Sequence, residues 1–187
     1  MKQQNTGLHV GKYRETRTFS SSLTGTILPS VLTFCALAGL FLTATGSTSI
    51  LPLFASGLIF LALFAIAKHL RKEAILLPAA LVILIIIVCF ARSLLLNGFG
   101  ALWNETRDLL AAEKGILLPL AETDGSGRWL VSVLCGLLLA VVALLLSKAP
   151  TLASVLLICC TVAAGLVHVT PWLFVAAGIS LLLLAWQ

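Results

Sequence analysis

Charge is what this chain has least of. Lysine, arginine, aspartate and glutamate make up 10% of its 187 residues, while 60% are hydrophobic. Soluble domains carry roughly a quarter charged residues, so this sequence has too few to clothe a soluble surface. The scarcity is sharpest among acids, with seven Asp and Glu against twelve Lys and Arg. None of the seven falls inside a long apolar run. A proton relay through a membrane needs buried acidic partners, so their absence speaks against an ion-coupled path. His168, at the end of one run, reads as an interfacial histidine for the same reason.

Metal and nucleophile chemistry lack their motifs too. Cys35, Cys89, Cys135, Cys159 and Cys160 lie in apolar runs without CxxC spacing, and an adjacent pair is no metal motif by itself. Free cysteine is among the most readily buried residues, so all five read as packing residues between helices. Neither Cys89 nor Cys159 has a His–Asp pair to activate it, and a thiolate is disfavoured in hydrocarbon. Gly125 and Gly127 make a flexible turn, with no Lys-Ser/Thr after them to form a phosphate loop. The net charge of +5 gathers at the ends of apolar runs, which argues against a nucleic-acid partner. No catalytic, cofactor-binding or metal-ligating residue is expected, and the chain reads as non-enzymatic.

Long apolar runs are what the sequence has in abundance. A helix needs about 20 residues to cross roughly 30 Å of hydrocarbon, and runs of that order occupy 26–44, 50–67, 74–91, 129–147, 151–167 and 172–187. They predict an all-α integral membrane protein of about six transmembrane helices in hairpins. The implied organisation is a basic amino-terminal segment (1–25), a three-helix membrane half (26–91), an external segment (92–128) and a second three-helix half (129–187). In the first run Cys35, Gly39 and Thr43 are four apart, which puts small side chains on one face for close helix approach. Trp129, Trp172 and Trp186 stand at run ends, where indoles favour the membrane interface.

Basic residues orient the chain. The run after residue 25 is of full span length, so it reads as a retained helix and not a cleaved signal. With the amino terminus inside, the inner segments hold Lys2, Lys12, Arg14, Arg17, Lys68, Arg71, Lys72 and Lys148. The outer ones hold only Arg92, Arg107, Lys114 and Arg128. The positive-inside rule then predicts a cytoplasmic amino terminus in the plasma membrane, with 92–128 outside.

That external segment carries nine of the nineteen formal charges. Between Phe99 and Lys114 its periodicity is helical, with Phe99, Leu102, Trp103, Thr106, Leu109 and Leu110 on one side. Asn104, Glu105, Asp108 and Ala112 fall on the other. Asn97 is placed to cap the helix and Gly115 to end it. An amphipathic helix between spans is expected on the membrane surface. Its stripe of Phe99, Leu102, Trp103, Leu109 and Leu110 is the candidate interaction surface, covered by the lipid bilayer, the helix bundle or a following domain. Glu105 and Asp108, with Arg107 and Lys114 nearby, read as a solvated mixed-charge face. Asn104-Glu105-Thr106 has the form of a glycosylation triplet, but a helix is a poor acceptor site.

Multi-span hairpins, an outer loop reading NGF…LWNETRDLL…GILLPL and a following Trp-led span together resemble the amino-terminal membrane region of bacterial transglutaminase-like membrane proteins. The resemblance covers residues 26–187. It implies a helical anchor preceding an extracytoplasmic domain with a papain-like Cys-His-Asp triad, which would lie beyond Gln187. The last run reaches Gln187 without a basic flank, as expected for the front part of a longer protein. The alternative class is a small transporter or a membrane subunit of a transport or secretion complex, whose two halves would be inverted repeats. The halves have no evident sequence match.

Overall fold

A computed structural model describes residues 25, 27–46, 49–70 and 73–185. The expected basic segment 1–25 falls almost wholly outside these residues, as do Ser47, Arg71, Lys72 and Trp186. All regular structure in the described residues is helical: α1 Leu28–Thr45, α2 Ile50–His69, α3 Glu73–Phe90, α4 Arg92–Lys114, α5 Arg128–Leu146, α6 Pro150–Val167 and α7 Pro171–Ala185.

Three of these, α1, α2 and α5, are long and apolar enough to cross a bilayer. A fourth crossing arises if α3 from Pro78 onward and α4 are counted together as one span, bent by 90°. The apolar stretches of α6 and α7, Thr151–Leu166 and Pro171–Leu183, are shorter. Pro150 and Pro171 start those helices where no amide partner is needed, and the extended backbone of His168 ends α6. Leu51, Phe90 and Leu117 leave 82%, 89% and 88% of their surfaces uncovered. At about 25 cal/mol per Å² of apolar surface, water is an unfavourable neighbour for so many such groups; these helices are compatible with membrane insertion.

Helix α1 is the centre of the bundle and touches α2, α4, α5, α6 and α7. Its small side chains make that possible, since Ser30, Thr33, Ala36, Ala38 and Thr43 are buried almost completely. Gly39 lets the Trp172 ring approach, with 3.4 Å between the Trp172 Cβ and the place a Cβ would occupy. One turn on, Thr43 donates to Gly39 O at 2.9 Å and meets Thr170 Oγ1 at 2.7 Å. A hydroxyl has one proton, so Thr170 is the donor in the second bond. The expected small-residue face thus serves as the seat of α7 at Gly39 and Thr43, while Cys35 is only half-buried.

The most extensive contact runs between α2 and α5. Gly136 of α5 lies against Leu53 O and Ser56 Oγ so closely that a side chain there would collide with both. Ser56 in turn reaches Val133 O across the interface at 3.1 Å. By contrast α3 only brushes α2 and α4, and Ile83, Ile85, Ile86 and Val88 stay exposed along it.

The chain then turns a right angle at Ala91. This residue sits at φ −107° and ψ 25°, and accepts the amide of Leu95 at 2.9 Å. Helix α4 therefore starts at Arg92, seven positions before the expected start at Phe99. Asn97 is an interior residue of the helix and not its cap. No Gly or Pro marks the turn; alanine takes the bridge region of backbone space. The other end is as expected, with Gly115 left-handed at φ 67° and its amide bonded to Ala111 O at 3.1 Å.

Candidate functional site

Helix α4 lies at the end of the bundle where α1 finishes, α5 begins and α6 turns into α7. Its inward stripe is Leu95, Gly98, Leu102, Glu105, Thr106 and Leu109. Leu95 packs with Val131 and Leu134 of α5, and Leu102 joins that cluster from its edge. Gly98 sits under Gly127, where a Cβ would come within 2.6 Å of the Gly127 carbonyl oxygen. Gly127 has φ +80° and lies against Leu94 O, so both its conformation and its space require glycine. Thr106 reaches Thr45 O at 3.4 Å, and Leu109 packs on Gly46.

This stripe differs from one drawn through the largest apolar residues. Of the five residues of the candidate interaction surface, Leu102 and Leu109 point inward and Leu110 is half-buried. Phe99 and Trp103 lie on the flank, 46% and 44% exposed. Burial follows the period of the helix, and the period runs through Gly98 and Glu105, which a search for large apolar residues passes over.

Residues 116–127 return along α4 as a strap without regular secondary structure. Trp103 Nε1 donates to Pro119 O at 3.0 Å. Asn104 grips both polar groups of Ala121, donating to its carbonyl at 3.0 Å and accepting its amide at 2.9 Å. Thr123 donates to Asn97 O at 2.7 Å, and Asn97 Nδ2 donates to Ser126 Oγ at 3.2 Å. The strap thus runs from beside Trp103 and Asn104 back to Asn97, and the side chains of Trp103 and Asn104 satisfy a backbone that has no sheet to pair with. The strap ends in a turn in which Asp124 Oδ1 accepts the Ser126 amide at 2.8 Å. Hydrogen bonds from the Ser126 side chain and then its backbone hold the Asp124 carboxyl below its ordinary range. Because Asn104 is fully engaged with Ala121, a glycan on it would cost both bonds.

Two further pairs tie α4 down. Glu105 forms an ion pair with Arg128, the first residue of α5, with side chains 19% and 38% exposed. The solvated face expected for Glu105 is thus corrected: it lies on the inward stripe, and its Oε2 is buried without a hydrogen-bond partner. Asp108 instead pairs with its neighbour Arg107 at 2.8 Å. The two carboxylates are therefore divided between separate cations. Glu113, in the last turn, meets His168 Nδ1 at 2.8 Å.

No group of three or more His, Cys, Asp or Glu able to hold a metal occurs among the described residues. The five cysteines are free thiols. An apolar cavity of about 200 Å³, lined by Leu28, Pro29, Leu32, Leu182 and Leu183, lies between the start of α1 and the last turns of α7. The strap anchors were missed by periodicity alone, although a readable signal existed. Asn97 and Asn104 are seven apart, two helical turns, and so share a face. No protein-family model matches the chain, and no match was found among curated proteins or solved structures.

Proposed function

We propose that this chain is a non-catalytic polytopic membrane module that carries a docking platform, α4 and its strap, on the outer surface of the plasma membrane. In this reading it crosses the bilayer six times from a cytoplasmic amino terminus. It serves as the anchor of a larger transglutaminase-like cell-envelope protein, in keeping with the resemblance of its loop and span layout.

The observation that carries the platform is the right angle between α3 and α4. Taken as one bent span, α4 would bring Arg92, Glu105, Arg107, Asp108, Glu113 and Lys114 into hydrocarbon. Each charge costs roughly 2.5–3.5 kcal/mol at the centre of a membrane helix, far beyond what the apolar residues of α4 return. Laid flat at the interface, the same helix keeps its charges wet and its stripe on the bundle. Six crossings also put the 46–49 and 168–170 turns on the same side as α4, in keeping with its contacts to Thr45, Gly46 and His168. Lys68, His69 and Lys148 fall on the opposite side, as cytoplasmic residues should.

Single cysteines in a background without native Cys test the topology. Asp124→Cys and Ser47→Cys should react with an impermeant thiol reagent in intact cells, and Lys72→Cys only after lysis. Reversed labelling would overturn the orientation. The anchor role is tested by the coding sequence after the Gln187 codon. An open frame encoding an extracytoplasmic Cys/His/Asp domain supports it, and an immediate stop codon removes it.

A further inference from the structure

Two helix ends meet at one imidazole. His168 is the C-cap of α6, its amide bonded to Ala164 O at 3.0 Å. Its Nδ1 lies 2.8 Å from Glu113 Oε1, in the last turn of α4. The carboxyl end of a helix carries partial negative charge; His168 caps that end of α6, and Glu113 brings a full charge to its ring from the last turn of α4. A protonated ring answers the carboxylate and makes a charge-assisted bond. A neutral ring offers at most an ordinary hydrogen bond, and none from Nδ1 in the tautomer that leaves this nitrogen bare.

Few other groups can interfere. Helices α1, α6 and α7, which surround the α6–α7 turn, contain no Asp, Glu, Lys or Arg, and only Cys35, Cys159 and Cys160 titrate within them. Helix α5 contributes Arg128, already paired with Glu105. On α4 the remaining charges are Arg92, the Arg107–Asp108 pair and Lys114. The contact also occupies a controlling position. It is the last tie on α4 before Gly115, beyond which the strap begins.

We propose that the His168–Glu113 contact is a pH-sensitive latch, which holds the carboxyl end of α4 and the root of the strap against the α6–α7 turn. The latch is closed while the ring is protonated and loosens when the ring loses its proton. Both side chains are about one-third exposed or more, at 32% and 40%. Solvent screening therefore limits the change in open fraction to roughly two- to fivefold. The inference rests on the contact itself and is independent of the transglutaminase-like reading.

The test uses the full chain in lipid nanodiscs, without native cysteines, spin-labelled at Ala112→Cys and Val169→Cys. Dipolar broadening between the labels is followed from about pH 5 to about pH 8, a window centred on the imidazole range. Broadening should be stronger at the acid end and fall in a single transition. His168→Gln and Glu113→Gln should each abolish the transition, whereas His9→Gln and His69→Gln should keep it. Wild-type broadening that ignores pH overturns the latch, as does a transition that survives in His168→Gln or Glu113→Gln. The wild-type titration alone decides the matter if either variant fails to fold.

Discussion

Glu105 and Arg128 form an ion pair in which the Glu105 side chain is 19% exposed and that of Arg128 38%. Breaking the pair at Glu105 removes a charge-assisted bond from the inward stripe, while Arg128 keeps its access to water. Glu105→Gln should therefore destabilise the folded chain by about 0.5–1.5 kcal/mol, read as a lower midpoint in detergent-induced unfolding. Glu105→Leu combined with Arg128→Met should recover most of that loss, and a double variant as unstable as the single one would refute the assignment. Asp124 presents a different case, because it is fully exposed and its bonds come from Ser126. Its carboxyl should titrate below the ordinary value of about 3.9, followed by carbon NMR of that side chain. The stabilisation these bonds give the turn is present above the unfolded value and is lost as pH falls through the lower folded one. Ser126→Ala removes the first cause and should move the midpoint upward; an unmoved midpoint would place the cause elsewhere.

At the scale of elements, long apolar helices were legible because their signal sums over some twenty residues. The strap was not legible in that way, since its order comes from three side chains of a neighbouring helix, Asn97, Trp103 and Asn104, and from the bond of its own Thr123 to the Asn97 carbonyl. Asn104 is the strongest of these anchors, satisfying both the carbonyl and the amide of Ala121. Each such bond contributes a net 0.5–1.5 kcal/mol or so. Asn104→Leu should therefore make the Ala121 amide exchange with deuterium about five- to a hundredfold faster. Trp103→Phe, which loses only the bond to Pro119 O, should have a smaller effect, and equal protection in both variants would show the strap to be held by something else. Glu105 escaped the sequence for another physical reason. A charge on a helix is read as seeking water, and its partner Arg128 arrives only at the start of the next helix. The turn at Ala91 was hidden more deeply still, because an ordinary residue makes it.

Across the whole molecule, the packing bears on how the two ends of the chain depend on each other. In an inverted-repeat transporter, equivalent helix pairs would pack alike. Here α6 lies along α7 over much of its length, while the corresponding pair α2 and α3 barely touches. The principal partners of α1 and α2 are α7 and α5, in the later part of the chain. Buried Ser30, Thr33 and Thr43 would face lipid in an isolated α1–α2 hairpin, and Gly39 would lose the Trp172 ring contact that its lack of a side chain permits. Small and hydroxyl residues of this kind favour helix neighbours over lipid. The chain can accordingly be divided between Arg71 and Lys72, where only the slight α2–α3 contact is weakened. Fragments 1–71 and 72–187, expressed together with different tags, should copurify as one complex that unfolds in a single transition. Fragment 1–71 expressed alone should be degraded or aggregate. A hairpin that accumulates stably by itself and fails to capture its partner would mean that α1 is not the centre of the bundle, and that the seats of α5 and α7 on it do not hold the molecule together.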